Sequence, residues 1–132
     1  HVFYIRGSLR LGPIWKPAVI IWLFIGVAIW YAVPWGAERG PVQLVWPSLP
    51  YSVLLASMAG FGTGLAVNFC QASPLAIGGA LFFISDAAIA ARLFKPALLE
   101  FLPEAIRADF VWLTYGPAQL SLMLGARMAA RR

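Results

Sequence analysis

The stretch PLAIGGALFFISDAAIAARLF, residues 74–94, decides the fold. From Pro74 to Ala91 it carries one ionisable side chain, Asp86. A bilayer's hydrocarbon core is about 30 Å thick and takes about 20 helical residues to cross. Backbone groups in lipid must be satisfied within the segment, so such a run is a helix unless it belongs to a closed barrel. The apolar/polar alternation of a barrel strand is absent here. The stretch therefore reads as a transmembrane helix with a carboxyl group near its middle.

Working outward, three more runs have similar character: residues 17–33, 49–70 and 110–126. The opening residues 1–11 read as the end of a further N-terminal helix. The whole chain, 1–132, reads as a single all-α domain, a polytopic transmembrane bundle with four full spans. Composition agrees. Of the 132 residues, 61% are hydrophobic and 11% charged, against about 25% charged in an ordinary soluble domain. Prolines punctuate the runs: Pro17 opens the first, Pro34 ends it, Pro47 and Pro50 precede the second, and Pro74 opens the third. A proline in the first helical turn costs no hydrogen bond. Pro117 lies inside the fourth run and should disturb it.

Arg6, Arg10 and Lys16 precede the first span, and Arg127, Arg131 and Arg132 follow the fourth. An excess of Lys and Arg marks cytoplasmic loops. Both ends of the segment, the C-terminus included, are therefore expected on the cytoplasmic side, in the inner membrane of a bacterium. Arg92 and Lys95, on the other side, weigh against this. Trp15, Trp35, Trp46 and Trp112 fall near span ends, where amphipathic rings meet the headgroups. The net charge of +5 belongs to these flanks, with membrane lipid as the partner. It forms no basic stripe with interleaved aromatics, so no nucleic acid is expected. Residues 95–109 mix charges with Leu98, Leu99, Phe101, Leu102 and Ile106, as a surface-lying helix or an ordinary loop would.

Asp86 is the residue that physics singles out. A charged side chain at mid-membrane costs about 3 kcal/mol or more, so it must face a partner or a wet cavity. A protonated carboxylic acid in a sheltered pocket is a natural general acid; the structural alternative is an interhelical hydrogen bond. Ser85 beside it is a weaker candidate, because membrane serines commonly bond their own helix backbone. Tyr115 and Gln119, four apart on one helix face, suit either a pocket wall or interhelical hydrogen bonding. Ala56, Gly60, Gly64 and Asn68 recur every four residues. They suit a seam for close helix packing, with Asn68 a polar group at its end. The lone Cys70 excludes an intrachain disulfide. One His and scattered carboxylates make no metal cluster, and no cofactor is expected.

Three elements resemble one family. Residues 74–86, PLAIGGALFFISD, resemble the "SD" signature of the YhhN-type membrane proteins, which include the lysoplasmalogenases. Leu113-Thr114-Tyr115-Gly116-Pro117-Ala118-Gln119 resembles their "TYxxAQ" element, and His1-Val2-Phe3-Tyr4 their "HxxY" element. The resemblance implies an eight-helix protein of which this chain is the C-terminal part. A partner aspartate in a "GD" element would then lie in an N-terminal half absent here. It further implies hydrolysis of the vinyl ether bond of a lysolipid. Asp86 would be a catalytic carboxyl, with Ser85, Tyr115, Gln119, His1, Tyr4 and Asn68 binding substrate or supporting. Two other readings remain open on the residues: a proton-coupled small-molecule transporter, and a non-catalytic membrane protein in which Asp86 only packs.

Overall fold

The computed structural model describes residues 10, 12–36 and 42–131. Helix α1 is Lys16–Trp30 and runs on into a π-helical turn, Tyr31–Trp35. Helix α2 is Val42–Asn68. A short 3₁₀ turn, Cys70–Ala72, leads into α3, Ser73–Phe94. A second, Pro96–Leu99, precedes α4, Glu104–Ala130. Among the described residues every regular element is helical. The opening stretch read as the end of a further helix lies outside them, apart from Arg10.

Among the described residues, three helical stretches are long and apolar enough to cross a membrane: Lys16–Trp35, Gln43–Asn68 and Cys70–Phe94. The sequence led us to expect four. The fourth helix exists and is 27 residues long. Thr114, Tyr115 and Gln119 dilute its apolar centre, and Arg107, Asp109 and Arg127 stand within its ends. It starts before the expected Phe110 because Pro103 occupies its N-cap position and Glu104 its first turn, where an acidic side chain meets the positive end of the helix dipole. Residues 95–109 thus divide between a 3₁₀ turn, a short link and the first turns of α4.

The prolines do not all act as boundaries. Helix α2 runs through both Pro47 and Pro50. In the disturbed turn, the Trp30 indole and the Ser48 hydroxyl both donate to the Val45 carbonyl, at 3.0 and 2.6 Å. The carbonyls that lose their helical donors to Pro47 and Pro50 are those of Gln43 and Trp46, four residues earlier. Pro34 is held inside the π turn. There the Gly36 N–H donates to the Tyr31 carbonyl at 3.1 Å, skipping Ala32, its α-helical partner. The Ala32 carbonyl accepts from the Lys95 ammonium at 2.8 Å.

Helix α3 packs against α2 and α4, and α1 packs against α2. Leu55, Met58, Leu65, Phe83 and Leu122 belong to the buried core. Small residues permit the close crossings. A Cβ on Gly60 would lie 2.8 Å from the Val19 Cα of α1. A Cβ on Gly78 would lie 2.8 Å from Leu122 Cγ and 3.0 Å from the Ala118 carbonyl of α4. Gly116 has open space around it. Gly78→Val should therefore cost about 1–3 kcal/mol of unfolding free energy, read by thermal or denaturant unfolding in detergent. Gly116→Ala should be neutral or slightly stabilising.

Candidate functional site

Asp86 lies in α3 and is half-buried. Its Oδ2 accepts a hydrogen bond from the Tyr51 hydroxyl of α2 at 2.6 Å. That distance is at the short end for O–H···O contacts, as expected when a carboxyl group accepts. The bond joins two helices across an apolar interface. It answers the requirement that an intramembrane carboxyl find a partner.

The pair opens onto a cavity of about 390 Å³ between α1, α2 and α3. The cavity is partly open to the outside, and Tyr51 is 48% exposed. On α3, Phe83, Asp86, Ala87, Ala90 and Phe94 recur at three- and four-residue steps along its wall. On α2, Ser48, Tyr51, Ser52 and Leu55 do the same. Such recurrence is one face of each helix. From α1 come Ile29, Trp30 and Pro34. The polar atoms at the wall are anchored: Ser52 donates to the Gly26 carbonyl at 2.9 Å, and Trp30 Nε1 lies 3.1 Å from Ser48 Oγ. The space therefore combines a greasy surface with a few fixed polar groups, the usual make-up of a small-molecule site.

Trp30, in the cavity wall, belongs to an aromatic cluster whose other members lie outside it. Trp30, Trp35 and Trp46 cluster with ring centroids 5.2–6.1 Å apart. Trp35 and Trp46 were expected near span ends, and they meet there beside the π turn.

The other residues singled out from the sequence have different places. Ser85 is fully buried, and its hydroxyl points across to the Val111 carbonyl of α4 at 3.4 Å. Tyr115 packs its ring on Phe82, with centroids 5.3 Å apart, and next to Trp112. It is not among the residues lining the cavity. Gln119 is half-buried on α4, away from the cavity wall. Asn68 donates to the Pro13 carbonyl at 2.7 Å. It sits 17 residues, about 26 Å, along α2 from Tyr51, so it caps the far end of the bundle. His1 and Tyr4 lie outside the described residues.

The "SD" pair on α3 and the Tyr–Gln pair on α4 now have their places in a helical bundle. The sequence profile of the YhhN family matches residues 1–126. The chain belongs to the YhhN family. No curated protein and no solved structure matches it. Within this YhhN chain the structure adds Tyr51, Trp30, Ser48 and Ser52 to the neighbourhood of Asp86. Sequence reasoning passed over Tyr51, which stands beside Pro50 and resembles one more interfacial aromatic. It lies 35 residues from Asp86, beyond any helical spacing rule.

Tyr51→Phe should shift the carboxyl infrared band of Asp86, identified as the band lost in Asp86→Asn. It should cost about 1 kcal/mol or less of stability, the usual worth of an interhelical membrane hydrogen bond. Ser85→Ala, on the face toward α4, should leave the band in place.

Proposed function

We propose that this YhhN chain carries part of the active site of a membrane hydrolase that cleaves the vinyl ether bond of a single-chain lipid. The observation behind this reading is the Tyr51–Asp86 pair at the wall of an apolar, partly open cavity. A vinyl ether is cleaved by adding a proton to its outer alkene carbon. The positive charge then rests on the carbon bonded to oxygen, as an oxocarbenium ion. Water adds to that carbon, and the resulting hemiacetal collapses to an aldehyde and an alcohol. The overall change is addition of one water, with the donated proton regained from it.

Each step asks something of the site. The first needs a proton donor held away from bulk water. Tyr51 occupies Oδ2 of Asp86, and a proton carried on Oδ1 would face the substrate. The second needs negative charge or oriented dipoles near the cation, which the same carboxylate supplies once its proton has left. Tyr51, bonded throughout, steadies the carboxyl in both states. Tyr115 and Gln119 lie outside this cavity's wall, and orienting water or a glycerol hydroxyl would require the substrate to reach the α4 side. An acidic residue from the rest of the protein would act as the base for water, or exchange roles with Asp86. His1, Tyr4 and Ser85 would support this arrangement.

In the same reading α4 also crosses the membrane, and both chain ends face the cytoplasm of a bacterial cell. Lys16 at the start of α1 and Arg127 and Arg131 at the end of α4 support that orientation.

The test is hydrolysis of a vinyl ether lysolipid by the purified full-length protein, with the aldehyde followed by mass spectrometry. Asp86→Asn should lower kcat by about 100- to 10,000-fold, the usual share of a positioned acid–base group. Unchanged hydrolysis would remove Asp86 from the chemistry. Proton-driven substrate flux in proteoliposomes, without product, would identify the carboxyl instead as the proton site of a carrier.

A further inference from the structure

A cation stands next to the cavity, though not in its wall. Lys95 directly follows Phe94, which lines the cavity. Its ammonium lies against the turn that carries Pro34, which lines the cavity too, and donates to the Ala32 carbonyl at 2.8 Å. Gly36, the α-helical donor to Ala32, bonds Tyr31 instead in the π turn. A backbone carbonyl is a fixed point, so the ammonium is pinned in place. An ammonium has three donors, and Ala32 takes one. Nearby, Trp35 and Trp46 are 47% and 62% exposed, the amphipathic surface a lipid headgroup meets. From this end the wall runs inward along Phe94 and Ala90 to Asp86. Cation, apolar shaft and carboxyl thus follow one another along α3.

We propose that Lys95 binds the phosphate of a single-chain lipid substrate and thereby fixes how deep its ether bond lies. The inference deepens the hydrolase reading and rests on the cavity being the substrate site. The nine residues from Asp86 to Lys95 span about 13 Å along α3. The lysine stem, the carboxyl arm and a three-carbon glycerol bridge cover that span together. A phosphate on the lysine therefore sets the bond next to the glycerol beside Asp86 and sends the chain into the apolar space. Lys95 is a positioning residue here, since it touches the headgroup and not the reacting atoms. Its selectivity is for charge: a neutral alkylglycerol gains nothing from it.

The test separates binding from turnover. The full-length protein in detergent is titrated with two non-hydrolysable probes, a saturated alkyl ether lysophospholipid and the matching alkylglycerol, with quenching of tryptophan fluorescence as the readout. The wild type should prefer the lysophospholipid. Lys95→Gln should weaken that probe about 10- to 100-fold, the worth of one charge-assisted hydrogen bond, and leave the alkylglycerol unchanged. Lys95→Arg, which keeps the charge, should restore most of the preference and shows that the Gln effect is not misfolding. In turnover of the vinyl ether forms, Lys95→Gln should raise KM for the phosphate-bearing substrate and spare kcat. Equal binding of both probes by the wild type overturns the proposal. So does an equal loss of both in Lys95→Gln, or inorganic phosphate binding as tightly as the lysophospholipid. Because the probes are not cleaved, the binding result stands whether or not the protein proves to be a hydrolase.

Discussion

A carboxyl group inside an apolar helix bundle must be given a polar partner or access to water, and much of this structure follows from how Asp86 receives both. The partner is the Tyr51 hydroxyl at 2.6 Å. The access is the cavity that α1, α2 and α3 leave between them. Desolvating a lone carboxylate is costly. A single neutral donor that leaves one carboxyl oxygen for another molecule is an economical way to keep the group reactive. A cationic partner would have bound the charge more tightly and spent its reactivity.

The rest of the bundle holds α2 and α3 close at one end and apart at the other. Near the middle of α2, Ala56 is fully buried, and a Cβ on Gly60 would collide with α1. On α3, a Cβ on Gly79 would lie 3.0 Å from the Ala59 Cα of α2. Close packing of small residues draws the helices together there. Toward the aromatic cluster, Trp30, Trp46 and Phe94 are bulky, and Pro47, Pro50 and the π turn disturb the backbone of α1 and α2. The space between the helices lies on that side. Near these turns Trp30 donates to the Val45 carbonyl and Lys95 to that of Ala32. The irregular backbone lines a cavity, the setting in which membrane proteins tolerate it.

Much of this was legible in the sequence, and the rest was not for identifiable reasons. The long apolar runs around α1, α2 and α3 were readable because lipid imposes one length and one backbone solution. Asp86 was readable because a single charge interrupts an apolar run. The Gly60–Gly64 seam was readable because both residues lie on one helix at a four-residue step. Tyr51 was not, since its partnership with Asp86 crosses between helices. The grouping of Ser85 with Asp86 fails for a related reason. Adjacent residues on a helix point about 100° apart, so one turns to α4 and the other to α2. Pro34, Pro47 and Pro50 read as helix ends because a boundary is where proline costs least, yet the helical backbone runs through all three.

The most direct measurement is a structure of the full-length protein in a lipid nanodisc with a saturated ether analogue of the lysolipid bound. The account predicts the chain in the apolar space between α1, α2 and α3, with the ether oxygen within hydrogen-bond reach of Asp86 and the Tyr51 contact intact. An analogue bound elsewhere, or a cavity closed by other helices packed directly against Asp86, would contradict it.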